Sequence, residues 1–243
     1  MNSLAKGSRI WGTETTLHEN DNHLSYARSM IELHDVSVDH GPIGALRGVS
    51  AVFAAGEVTA LAGPNGSGKS TLLGVIAGLQ DHRGRVVSPR GTRVAYVVQR
   101  SAVDASLPLT VLDAVTMGRW ARRGTWRPLS RDDRRIVAEC VHAVGLDGLE
   151  RRPLHELSGG QRQRALVAQG LAQRADVLLL DEPTVGLDDA SRGLIGRAVD
   201  AEASRGVVVV HATHDDEVLR ASARVIRLLD GRIVPERSTV SAY

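Results

Sequence analysis

The chain has 243 residues, 42% hydrophobic and 24% charged, which suits a soluble globular protein of one α/β domain or two small lobes. Thirty basic residues against 28 acidic ones leave a formal net charge of +2, so the electrostatics give no reason to make nucleic acid the main partner. Apolar runs such as 177–180 and 207–210 are strand-sized and fall far short of the roughly 20 residues of a membrane span. The single cysteine, Cys140, excludes an internal disulfide and points to a reducing compartment.

Residues 1–29 are polar, rich in Ser, Thr, Asn, His and Glu, and show neither helical nor strand periodicity. They read as a disordered extension, or as the product of an upstream start codon with Met30 as the natural one. His18 and His23 are too scattered there to make a metal site. From Met30 the pattern alternates. Strands are expected at 31–38, 58–62, 93–98, 176–181 and 206–213, and helices at 69–79, 131–144, 158–173, 191–204 and 215–222. Short apolar runs followed by amphipathic helices imply parallel strands joined by helical crossovers. Cys140 reads as a small core residue on one of those helices. Near the end, 225–229 and 232–234 flank Asp230-Gly231, a dipeptide suited to a tight hairpin. Residues 100–157 break the alternation with Pro108, Gly118, Gly124, Pro128 and Pro153 among helical pieces, and read as a helical sub-lobe.

Three segments carry chemistry. Gly63-Pro64-Asn65-Gly66-Ser67-Gly68-Lys69-Ser70-Thr71 is a full GxxxxGK[ST] match between an apolar strand and a helix continued by Leu72, Leu73, Ile76 and Leu79. Its glycines let backbone N–H groups turn in on phosphate oxygens, and the helix adds the positive end of its dipole. Lys69 is expected on the β- and γ-phosphates of ATP and Ser70 on Mg²⁺. Next, the apolar strand Val177-Leu178-Leu179-Leu180 ends in Asp181-Glu182. Asp181 suits Mg²⁺, through water, and Glu182 suits orienting or deprotonating the attacking water. Last, Leu157-Ser158-Gly159-Gly160-Gln161 opens a helix with Ser158 as N-cap. Its glycines leave amides free for an anion, which makes a second phosphate-binding surface in the same chain.

With all three in order, the chain from about Met30 to Glu236 resembles the nucleotide-binding subunits of ABC transporters. The resemblance places Walker A at 63–71, the signature at 157–161 and Walker B at 177–182. It implies an α/β fold, a P-loop NTPase of ABC type with a mixed sheet core, an inserted helical sub-domain of about residues 100–173 and an N-terminal antiparallel β region. The ATPase domain is then 30–236, between the extension 1–29 and a tail at 237–243. Gln99 resembles the Q-loop glutamine that senses Mg²⁺, Gly186-Leu187-Asp188 the D-loop, and His214 the switch histidine at the γ-phosphate. Two copies are expected to sandwich two ATP molecules, each between one subunit's Walker A and the other's signature.

Two departures stand out. His40 occupies the position where the family usually stacks an aromatic on adenine, and Val98 precedes Gln99 where Pro is frequent. The basic stretch 119–127, with Trp120 and Trp126, reads either as a face for lipid head groups or a partner, or as a solvated helix edge.

The chain is thus expected to be an ATPase at the inner face of the cell membrane. It would serve a multi-span permease and, indirectly, an extracytoplasmic metal-binding protein. The segment Arg93-Val94-Ala95-Tyr96-Val97-Val98-Gln99-Arg100-Ser101, then Asp104, Pro108-Leu109-Thr110-Val111-Leu112-Asp113 and Met117-Gly118-Arg119, resembles the zinc/manganese importer branch. Importers of iron chelates or cobalamin share parts of it, and an exporter subunit fits the motifs as well. A soluble ABC ATPase acting on nucleic acid would usually add a second such domain, coiled coils or zinc modules, and this chain shows none of them.

Overall fold

A computed structural model describes residues 30–40, 43–98, 109–123 and 128–235. The extension 1–29, the tail 237–243, Gln99 and Trp126 lie outside the described residues.

The strands run β1 (Met30–His40), β2 (Ile43–Ala54), β3 (Val58–Ala62), β4 (Arg83–Val87), β5 (Val94–Val97), β6 (Val177–Asp181), β7 (Val208–Thr213), β8 (Arg224–Leu229) and β9 (Arg232–Val234). The helices are α1 (Lys69–Ile76), α2 (Val111–Arg123), α3 (Arg131–Ala143), α4 (Gly159–Ala172), α5 (Asp189–Ser204) and α6 (Asp216–Ala221). A six-stranded mixed sheet has the order β5-β6-β7-β3-β8-β9, parallel except for the final β8–β9 pair. A smaller antiparallel sheet, β2-β1-β4, is the expected N-terminal β region.

The apolar pattern explains the layers. Strand β6 is buried along its whole length, and successive side chains point to opposite faces. Val177 and Leu179 join a core with Phe53, Leu33 and α1's Leu72 and Leu73, between the two sheets. Leu178 and Leu180 join the other core, with Val115, Val141, Val167 and Ile195 of α2 to α5. A parallel sheet covered on both faces reads as continuous apolar runs, which is why its strands were legible.

Three elements were not. Strand β2 carries Gly44 and Gly48 and alternates weakly, yet it pairs with β1 from Met30↔Ala54 to His40↔Ile43. Strand β4 is only Arg-Gly-Arg-Val-Val and exists because β1 offers its other edge, with Leu33 opposite Val86. Helix α2 lies inside the region 100–157, whose prolines and glycines obscure its limits in the sequence pattern. Elsewhere the limits moved by a few residues for local reasons. Helix α1 stops at Ile76 rather than 79 because Gly78 takes φ 70°. Helix α5 starts earlier, at Asp189, capped by Asp188. The hairpin at Asp230-Gly231 is as expected, with φ of 47° and 74°.

The reading of 119–127 as an outward basic face fails at Arg119. Its side chain is 2% exposed, donates from Nε to Asp133 Oδ1 at 3.0 Å and from Nη1 to the Ala172 carbonyl at 2.6 Å, and so ties α2 to α3 and α4. Gly118 alongside lets α2 approach α4 so closely that a Cβ there would lie 2.3 Å from the Gln169 carbonyl oxygen. Cys140 is a core residue as expected, its thiol pushed up to about 12 by burial.

Candidate functional site

Strand β3 delivers the chain to the loop 63–68, and the loop's shape is dictated by contacts that only glycine allows. A Cβ on Gly63 would lie 2.3 Å from the Leu228 carbonyl oxygen, and one on Gly68 would lie 2.7 Å from that of Ala45. Gly68, at φ 105°, is the N-cap of α1 and supplies no side-chain cap. The first-turn amides of α1 are therefore left to an external acceptor, and no acidic residue stands in that turn. Ser67 Oγ beside them is buried without a partner.

That pattern separates two helices from the rest. Helices α2, α3, α5 and α6 all carry an aspartate in the first turn; among the described α-helices only α1 and α4 do not. An acid in the first turn satisfies the helix dipole internally and repels an anion. The two acid-free N-termini are those of the GK[ST] loop and of the Ser158 turn.

Around α1 the motifs converge. Lys69 is 5% exposed and donates from Nζ to the carbonyls of Gly63 at 2.8 Å and Pro64 at 3.1 Å. The same ammonium lies 3.5 Å from Glu182 Oε1, and that oxygen lies 3.5 Å from Nδ1 of His214. Glu182 leaves the end of β6 in the left-handed region, φ 49°, with its N–H donating to the Ala212 carbonyl on β7. Such a conformation costs a non-glycine residue about 1–2 kcal/mol. The turn spends that energy aiming a carboxylate at the P-loop lysine. On β7, Thr213 Oγ1 accepts from the Asp215 N–H and shapes the turn that carries His214.

Asp181 is 5% exposed and accepts at Oδ2 from the Tyr96 hydroxyl at 3.2 Å. Burial first, and the Asp181 charge second, raise the Tyr96 hydroxyl well above the ordinary tyrosine range, so it stays a donor. The contact of Tyr96 with Asp181 is not legible in the sequence. Nothing local distinguishes Tyr96 from any strand aromatic, and its partner is 85 residues away.

His40, Gly44, Ala45, Asn65, Gly66, Gly68, Lys69, Ser70, Thr71 and Glu182 line one cleft of about 490 Å³. A depression of about 500 Å³ beside β1 and β2 is lined by Arg47, Arg83 and Arg232 and by no residue of the 63–71, 157–161 or 177–182 motifs. Ser158, Gly159, Gly160, Gln161 and Asp188 do not line the cleft. Ser158 and Gln161 form a reciprocal capping box on α4, and Arg162 braces the preceding turn through the Leu154 carbonyl at 3.1 Å. Asp188 caps α5 by accepting from the Ser191 N–H at 3.0 Å, and the hydrogen bonds from Ser191 hold its carboxyl below the usual range.

The hard oxygens of this region are the Ser70 hydroxyl and the Glu182 carboxylate, which line the cleft, and the Asp181 carboxylate at the end of β6. Among the described residues no cluster of three or more His, Cys, Asp or Glu could hold an ion alone. So few hard oxygens would fit Mg²⁺, an ion that takes one or two protein carboxylates and completes its shell with water and substrate phosphates. No helix of the described residues is long and apolar enough to cross a membrane.

Comparison with known proteins agrees with this geometry. Residues 46–185 match the family model described as ABC transporter. The chain is similar to the zinc import ATP-binding protein ZnuC of Alkalilimnicola ehrlichii, 38% identical over 213 residues, 86% of this chain and 77% of that protein. It is also similar to the manganese transport system ATP-binding protein MntB of Halalkalibacterium halodurans, 34% identical over 192 residues, 76% of this chain and 77% of that protein. Its fold is similar to the dimeric structure of a bacterial ABC transporter cassette, with TM-score 0.75, 29% identity, and coverage of 84% of this chain and 97% of that one.

Proposed function

Since the chain belongs to the ABC transporter family and is one of its ATP-hydrolysing subunits, we propose that it powers import of zinc or manganese through a separate membrane permease. Its place is the cytoplasmic face of the membrane, held there by that permease. The relatives named above as zinc and manganese ATP-binding proteins support this cargo. An extracytoplasmic metal-binding protein and the permease choose the ion, and nucleic acid plays no part.

One observation carries the catalytic reading. The cleft joins His40, the loop residues Asn65, Gly66 and Gly68 to Thr71, and Glu182, while the second acid-free helix N-terminus, at Ser158, stands off it. One chain thus offers complementary halves of a site that two copies complete. ATP lies with its base on His40 and its phosphates on the amides of 66–71, and Ser158, Gly159, Gly160 and Gln161 of a second copy close over the γ-phosphate, with Asp188 at the seam. Lys69 exchanges the carbonyls of Gly63 and Pro64 for the β- and γ-phosphate oxygens. Ser70, Gln99 and, through water, Asp181 would hold Mg²⁺, which would supply positive charge to neutralise those oxygens. Glu182 accepts the proton of the attacking water, the γ-phosphorus–oxygen bond to ADP breaks, and ADP and phosphate leave. His214, beside Glu182, contacts the γ-phosphate and orients that water.

The test is uptake into vesicles holding this subunit with its permease. ATP-dependent accumulation of zinc or manganese is expected, and Ser158→Arg, which blocks the composite site, should abolish it. Uptake of an iron chelate or cobalamin alone would move the cargo to the neighbouring importer branch, and export of an organic compound would overturn import.

A further inference from the structure

Strand β5 lies at the edge of the six-stranded sheet, and its Tyr96 pairs in register with Leu179 of β6. Side chains of period two share a face, so Tyr96, Leu179 and Asp181 point to the same side. The Tyr96 ring packs against the core between the two sheets, which fixes the ring and aims its hydroxyl along β6. It meets Asp181 Oδ2 at 3.2 Å. Among the described residues no other side chain donates to this carboxylate.

The last torsion of an aspartate is intrinsically soft, because its terminal sp² group has only a broad, two-fold preference. Asp181 therefore cannot set its own carboxylate plane, although its backbone is held in register with Ala212 of β7. We propose that Tyr96 is the positioning residue of the metal site. Its hydroxyl occupies Oδ2, fixes the carboxylate plane and leaves Oδ1 for the water shell of Mg²⁺. The inference rests on the reading of Asp181 as the Mg²⁺ contact. Partners that orient a direct ligand are worth about ten- to a hundredfold in metal affinity, and Tyr96, acting on a carboxylate that reaches the ion through water, falls at the lower end of that range.

The experiment uses the full chain and a non-hydrolysable ATP analogue, titrated by calorimetry in EDTA and over a series of Mg²⁺ concentrations. Tyr96→Phe, which keeps the ring, should raise the Mg²⁺ concentration for half-maximal tightening about tenfold and leave binding in EDTA unchanged. Asp181→Asn should remove most of the Mg²⁺ dependence, and adding Tyr96→Phe to it should change nothing further, because the two act through one carboxylate. Wild-type Mg²⁺ dependence in Asp181→Asn would sink the reading of Asp181 itself. Normal behaviour in Tyr96→Phe, beside an impaired Asp181→Asn, would overturn only the role of Tyr96. An equal loss of affinity with and without Mg²⁺, or a lower melting temperature as its sole effect, would reduce Tyr96 to packing and overturn the inference as well.

Discussion

Replacing His211 by leucine should remove a built-in acid sensitivity of the fold. His211 sits on β7, flanked in register by Leu180 of β6 and Ala60 of β3, and is 4% exposed. Its Nε2 has no hydrogen-bond partner. Burial lowers its pKa from 6.5 to about 4, against a smaller upward pull from Asp215. For a base whose folded pKa is depressed, the unfolded chain takes up a proton below pH 6.5 that the folded chain refuses until about pH 4. Stability therefore falls as pH drops through that window, by up to about 1.4 kcal/mol per pH unit. Between pH 7.5 and 5 the loss is about 2 kcal/mol, and by pH 4 about 3 kcal/mol. Leucine, close in volume, does not titrate, so any offset it brings cancels when two pH values are compared. Urea unfolding of both proteins at pH 7.5 and 5 measures the difference. With a slope of about 2 kcal/mol per molar urea, the wild-type midpoint should fall by about 1 M more than the variant's. Midpoints that fall in parallel would refute the reasoning, since they would mean that His211 finds water or a partner when protonated.

Glu182→Gln should keep ATP binding and lower turnover by about 10²- to 10⁴-fold, the usual contribution of a positioned base; sedimentation with ATP should show a trapped dimer, and near-normal hydrolysis would remove Glu182 from the role. Gly118→Ala should cost about 1–3 kcal/mol by overpacking, because its Cβ falls 2.3 Å from the Gln169 carbonyl oxygen and 3.0 Å from Ala172 Cβ. A melting temperature lower by about 2–4 °C per kcal/mol is expected, and an unchanged one would mean that α2 and α4 are less tightly joined. His40→Tyr should tighten ATP binding by about 0.5–1 kcal/mol through a larger stacking face; equal affinity in wild type and variant, for both ATP and GTP, would place the base elsewhere.

What the amino-acid order determined by itself was local. The 63–71 loop, the Ser158 cap and the Asp230-Gly231 hairpin each depend on a few consecutive residues whose backbone preferences and missing side chains select one conformation. The buried strands β3, β6 and β7 were legible because both of their faces meet apolar layers. The identity of the chemistry followed from these, since a phosphate cradle and a strand ending in two carboxylates are sequence-contiguous devices. The tertiary structure decided whatever needs a partner far along the chain. Strand β4, two arginines and a glycine before two valines, becomes a strand only on the edge that β1 presents. Arg119 looked like surface charge until Asp133 and the Ala172 carbonyl supplied the bonds that make its burial tolerable. The approach of Lys69, Glu182 and His214 to within 3.5 Å joins three turns from three separate parts of the chain. The bond from Tyr96 to Asp181, which leaves no trace in either neighbourhood, is set by the register of β5 on β6 alone.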